Sequence, residues 1–138
     1  MGPGMETRTR TPLSVLIVED HPDGAESTAA VLRLCGHSVR VALSPREALR
    51  LATDASPDVI LLDIGLPQMD GYELARQLCA VLGERPVLVA VTGYGHLEER
   101  SRAEGFDHHF LKPVDPAALE RVLAGCTKRP AERAAVAV

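Results

Sequence analysis

Five short aliphatic runs punctuate the chain, at residues 13–18, 38–42, 59–63, 87–91 and 108–112. In three of them the apolar residues are consecutive: Val15-Leu16-Ile17-Val18, Val59-Ile60-Leu61-Leu62 and Val87-Leu88-Val89-Ala90-Val91. A strand with one wet face alternates polar and apolar side chains, whereas a strand covered on both faces does not. Runs this short and this continuous predict parallel strands with helices on both sides, an α/β sheet.

The segments between the runs announce helices. Asp23-Gly24-Ala25-Glu26 and Asp70-Gly71-Tyr72-Glu73 fit the capping box. Ser44-Pro45-Arg46-Glu47 adds proline at the first helical position, and Asp115-Pro116 repeats that cap-then-proline pattern. Gly36, Gly83 and Gly105 stand where helices should stop. Leu74, Leu78 and Leu82 form one apolar stripe, and Leu119, Val122 and Leu123 another. The weakest helix lies between Leu97 and Glu104, where the apolar face is thin. Residues 1–12 and 125–138 lack periodicity and read as mobile tails, leaving one domain over 13–124.

Polar residues close the runs. Glu19-Asp20 follow the first, Asp63 ends the third, Thr92 follows the fourth and Lys112 ends the fifth. Singly these are ordinary: a solvated acidic pair, a strand-end hydroxyl, a surface lysine. All of them, however, fall at the same end of their strands, where an open α/β sheet binds its ligands. Gly65-Leu66-Pro67 breaks the chain after Asp63 and should leave its carboxylate exposed at the rim. Three carboxylates converging there would bind a divalent cation, and a nearby lysine would neutralise the anion the cation holds. That outlines a phosphoryl-transfer site. Mg²⁺ takes oxygen ligands, so His21 reads as a loop residue rather than a ligand.

Composition narrows the alternatives. A formal charge of −4, 3% aromatics and no Trp give neither a basic footprint nor stacking platforms for nucleic acid. No apolar stretch approaches the ~20 residues needed to span a bilayer. The first residues lack an apolar signal core, so a cytoplasmic location is expected. Cys35, Cys79 and Cys126 are scattered without a C-x-x-C pair and read as free thiols.

The motifs VLIVED, DVILLDIGLPQMDGYEL, VAVTGYG and FLKPVD, in this order and spacing, cover about residues 13–124. With them the chain resembles the receiver domains of bacterial two-component response regulators. The resemblance implies a flavodoxin-like (βα)5 fold with a five-stranded parallel sheet of order 2-1-3-4-5. It implies Asp63 as phosphoacceptor, attacking phosphohistidine on a histidine kinase or a histidine phosphotransfer protein. Asp20 matches the direct Mg²⁺ ligand, Glu19 a ligand acting through metal-bound water, and the Gly65 carbonyl the third protein ligand. Thr92 matches the switch hydroxyl. Lys112 matches the motif lysine, its bond to Pro113 cis. The face built by the fourth helix, fifth strand and fifth helix is implied as the surface for homodimer or effector docking.

Two positions depart from the commoner family pattern. His109 stands where Tyr or Phe is usual, which alters the switch or makes it sensitive to pH. Gly65 and Tyr94 occupy the positions that govern the approach of water to the acyl phosphate. The expectation is a phosphoacceptor switch and not an enzyme acting on a metabolite. A Mg²⁺-dependent phosphohydrolase would need a second carboxylate close behind Asp63, and Ile64-Gly65-Leu66 supplies none. A degenerate docking scaffold sits poorly with an intact acidic pair, acceptor, Thr and Lys. The stretch after Leu123 is too short for an effector domain, so either a stand-alone receiver or the receiver module of a hybrid sensor kinase is expected.

Overall fold

The computed structural model describes residues 12–66, 69–93 and 98–126. Strands and helices alternate throughout: β1 (Ser14–Val18), α1 (Pro22–Leu34), β2 (Ser38–Ala42), α2 (Pro45–Asp54), β3 (Val59–Asp63), α3 (Gly71–Leu82), β4 (Val87–Thr92), α4 (Glu98–Ala103), β5 (His108–Leu111) and α5 (Pro116–Ala124). All strands pair in parallel, in the order β2-β1-β3-β4-β5. Strand limits differ from the sequence reading by one residue: β1 starts at Ser14, β4 runs on to Thr92, and β5 stops at Leu111.

The pleat distributes each aliphatic run between two cores. Leu16, Val18, Ile60, Leu62, Leu88 and Ala90 face Ala48 and Ala52 of α2 and Leu74 and Leu78 of α3. Val15, Ile17, Val59, Leu61 and Val89 face Ala25, Ala29 and Leu32 of α1 and Leu119 and Leu123 of α5. Both faces are covered, which is why the runs carry no polar alternation. Burying a leucine as completely as Leu62 stabilises the fold by about 1.5–3 kcal/mol.

The helix starts are partly as read. Ser44 accepts from the Glu47 amide, and the Glu47 carboxylate accepts from the Leu43 amide, closing α2 reciprocally. Asp115 accepts from the Ala117 amide. Asp70 accepts from the Tyr72 amide, while Glu73 bonds Arg76 and Gln77 rather than the cap. The α1 cap is corrected: the helix begins at Pro22, the N-cap is His21, and Asp23 lies inside the first turn. Proline preset for the first helical position starts the helix ahead of the carboxylate. Gly36, Gly83 and Gly105 all take positive φ, as helix stops require.

A partly buried pair ties α5 to the opposite, amino-terminal end of the sheet. The Leu13 amide donates to Nδ1 of His37, so the proton resides on Nε2, which lies 3.2 Å from Oε1 of Glu120. The expected tails fall outside the described residues apart from Pro12, Gly125 and Cys126. No helix among the described residues is long and apolar enough to cross a membrane.

Candidate functional site at the carboxyl ends of the strands

Register brings the polar strand ends together. Val18 pairs with Leu62 and Asp63 with Val91, so Glu19, one residue past Val18, stands level with Asp63. Thr92 pairs with Leu111, and the Lys112 amide donates to the Thr92 carbonyl at 2.8 Å. Lys112 then folds back over the sheet end: its Nζ lies 2.8 Å from Oε1 of Glu19 and 3.0 Å from Oδ2 of Asp63. Burial works against the Lys112 ammonium, but the bonds to Glu19 and Asp63 outweigh it and hold the group above the ordinary lysine range. The Lys112–Pro113 peptide is cis.

Asp63 is not exposed at the rim as the loop break suggested; it is only 7% exposed. The reason is its partners. Lys112 holds Oδ2, and the Gly65 amide donates to Oδ1 at 2.9 Å, curling the loop over the carboxylate. Gly71 makes that curl possible, because a Cβ there would stand 2.7 Å from the Ile64 Cα. Beside the carboxylate a crevice of about 510 Å³ runs between the small residues Gly24, Ala25 and Thr28 of α1 and the sheet residues Leu61 and Val91. Its apolar walls lower the local dielectric and strengthen the Lys112 bonds.

The acidic pair forms a second donor group at the same rim. Glu19 is buried, Asp20 half-buried and His21 exposed, and each offers a ligand atom within 4.8 Å of the others'. The His21 amide donates to Oε2 of Glu19 at 3.1 Å, and its ring Nδ1 lies 3.3 Å from the same oxygen and 3.5 Å from Oδ1 of Asp20. Glu19 thus links this group to Asp63 through their shared lysine. Three carboxylates against one ammonium leave net negative charge, and such a donor set fits a hard divalent cation.

Thr92 is buried at the end of β4, one position beyond Val91, the partner of Asp63. On the neighbouring strand His109 bonds through Nδ1 to Oγ of Ser101 at 3.2 Å, and Ser101 lies 3.0 Å from the Tyr72 hydroxyl. Nε2 of His109 is buried and finds no partner among the described residues. Arg100 lies 4.3 Å over the Tyr72 ring, and Phe106 meets that ring edge-on. The chain Tyr72–Ser101–His109 therefore joins α3, α4 and β5. Sequence reasoning singled out His109 but missed Ser101 and Tyr72, whose burial only the fold reveals. Tyr94, Leu97 and Pro67 lie outside the described residues.

Comparison with known proteins agrees with this geometry. The family model of the response regulator receiver domain matches residues 15–124. An uncharacterised 14.6 kDa protein of Leptolyngbya boryana is 34% identical over 119 residues, covering 84% of this chain and 91% of that protein. Response regulator MprA of Mycolicibacterium vanbaalenii is 36% identical over 115 residues, 82% of this chain but 48% of MprA, so the chain spans about half the length of that relative. A CheY-like receiver domain from Methylobacillus flagellatus superposes with a TM-score of 0.75 at 31% identity, covering 82% of this chain and 97% of that one. A similar domain from Methanospirillum hungatei gives 0.74 at 30% identity, over 82% and 91% of the two chains.

Proposed function

This chain belongs to the response regulator receiver family of two-component systems, and from that premise we propose that it is a phosphoacceptor switch whose acceptor is Asp63. The observation that carries the reading is the Lys112–Asp63 contact of 3.0 Å beside the crevice, with Glu19 on the same ammonium. A carboxylate held there by a cation is aimed and largely desolvated.

The donor is a phosphohistidine on a histidine kinase or phosphotransfer protein. A carboxylate oxygen of Asp63 attacks the phosphorus, the phosphorus–nitrogen bond breaks, and its electron pair returns to the imidazole nitrogen. The product is an acyl phosphate on Asp63. Lys112 offsets charge as the two anions meet, and Thr92 turns its hydroxyl toward the phosphoryl oxygens. Asp20, Asp63 and the Gly65 carbonyl would hold Mg²⁺, with Glu19 acting through metal-bound water; when bound, the ion supplies charge neutralisation between carboxylate and phosphoryl group.

Output passes to the face of α4, β5 and α5. Thr92 and His109 stand on adjacent strands, and His109 reaches α4 through Ser101, which supports that route. The same face would dock an effector or a second copy of the chain. A cytoplasmic location suits the free thiols Cys35, Cys79 and Cys126.

The test is direct. Incubation with Mg²⁺ and either a small acyl phosphate or a phosphorylated kinase should add one phosphoryl mass, and Asp63→Asn should abolish the gain. A mutant that still gains the mass removes Asp63 as acceptor.

A further inference from the structure

We propose that the crevice beside Asp63 binds a small amphiphilic cation, a primary amine carrying an aromatic or branched aliphatic body. Its volume of about 510 Å³ lies within the roughly 300–1,000 Å³ of pockets that hold small molecules. Gly24, Thr28 and Val31 follow one another at helical spacing and line it from α1. The space over Gly24 is open, since a Cβ there would meet nothing within 4 Å. Leu61 and Val91 of the sheet line the other side. An apolar body laid against these walls leaves water, which is the driving force for binding.

Charge decides the head group. Glu19 and Asp63 both line the crevice and both are buried, against the single ammonium of Lys112. Lys112 takes Oε1 of Glu19 and Oδ2 of Asp63, while the His21 and Gly65 amides donate to Oε2 and Oδ1. Each carboxylate thus accepts through both oxygens and still has acceptor capacity, because an ionised carboxylate offers about four lone-pair sites. With Asp20 at the same rim the surplus is negative, so a cationic head is attracted and an anionic one repelled.

The amine and a divalent cation would draw on the same carboxylates and exclude one another. Occupancy would therefore slow phosphoryl uptake at Asp63. That consequence rests on the phosphoacceptor reading above, whereas the binding itself does not.

The test is NMR titration of the metal-free chain with four probes. 2-Phenylethylamine has body and charge, 2-phenylethanol the body alone, 3-phenylpropionate the opposite charge, and ethylamine the charge almost alone. Phenylethylamine should shift the signals of Thr28, Leu61 and Val91, and the other three should bind at least about tenfold more weakly. Mg²⁺ should reverse the shifts. Thr28→Phe, which fills the crevice, should weaken phenylethylamine about tenfold and leave Mg²⁺ within about twofold. Should that variant not fold, the four probes decide on the wild type alone. Equal binding of the alcohol or of ethylamine, shifts elsewhere, or no binding at millimolar amine would overturn the proposal. So would concentration-dependent shifts of the same residues without ligand, which would make a second copy the occupant. Amine binding in a chain that takes up no phosphoryl group would support the site and sink the phosphoacceptor reading instead.

Discussion

Nζ of Lys112 sits 3.0 Å from Oδ2 of Asp63, across 49 residues of chain. The contact holds an otherwise unfavourable carboxylate inside the site, and Lys112 shares its charge with Glu19 at the same time. Its ammonium titrates above the usual lysine value of 10.5. A raised folded-state value contributes stability that is complete below the unfolded value and is lost as pH rises through the folded one. Lys112→Met should therefore be less stable than wild type at neutral pH, leaving Glu19 and Asp63 without a counter-charge. In denaturant titrations the gap should stay flat up to about pH 10 and shrink above it. A gap that closes between pH 7 and 9 would assign the effect to another group.

Asp20 shares the rim with Glu19 and lies beside the same rim as Asp63, so the metal-free site concentrates like charge. Asp20→Ala should melt higher than wild type without metal, because removing one carboxylate relieves repulsion. It should also bind Mg²⁺ more weakly and accept phosphoryl more slowly. Unchanged Mg²⁺ affinity would take Asp20 out of the ligand set.

Gly71 is where the helix start touches the site. A Cβ there would meet the Ile64 Cα at 2.7 Å and the Asp63 carbonyl oxygen at 3.2 Å, both backbone atoms that cannot swing aside. Gly71→Ala should cost about 1–3 kcal/mol in urea denaturation. It should also slow phosphorylation, since the displaced backbone carries Asp63. Stability within ~0.5 kcal/mol of wild type would show that the loop relaxes freely.

The strands were legible because burial on both faces writes itself as unbroken aliphatic runs, and Asp63, Thr92 and Lys112 were legible because each follows such a run. Strand order was not legible from periodicity, since nothing in Val15–Val18 says that it pairs with both Val39 and Val59 neighbours; the family resemblance supplied it. The α1 start was misread although His21-Pro22 carries the same proline signal as Ser44-Pro45, because Asp23 and Glu26 matched a capping box more fully. Burial of Asp63 escaped the sequence because it depends on Lys112 and on the absent side chain of Gly71. His37 with Glu120 and Tyr72 with Ser101 stand 83 and 29 residues apart, separations that no local pattern encodes.

Ser101 is the buried polar link between Tyr72 and His109, and α4 is six residues long. Ser101→Ala removes the shared partner of both and should cost about 1–3 kcal/mol, more than the ~1 kcal/mol expected of Tyr72→Phe. Amide exchange in α4 and β5 should quicken in Ser101→Ala. In the wild type, a phosphoryl mimic at Asp63 should alter exchange across α4, β5 and α5, because so short a helix opens at low cost. A response confined to the Asp63 loop would contradict the proposed output face.

The aspartyl phosphate should be long-lived. Hydrolysis needs a water held in line with the phosphorus–oxygen bond, and positioning is most of what catalysis offers so loose a transition state. Gly65 has no side chain with which to orient that water. Space is available: a Cβ at residue 65 would stand 3.6 Å from Oδ1 of Asp63, an ordinary contact. Gly65→Asn can therefore place an amide beside the carboxylate without displacing backbone, and it should speed loss of the phosphoryl group. Tyr94→Glu, which adds a carboxylate two residues after Thr92, should do the same. The opposing effect is that the vacant space beside Gly65 admits bulk water, but disordered water lacks the fixed attack geometry on which the rate depends. Loss of radiolabel from the purified phosphoprotein measures it, wild type against each variant. A wild-type rate already as fast as both variants would mean that access, not orientation, limits hydrolysis here.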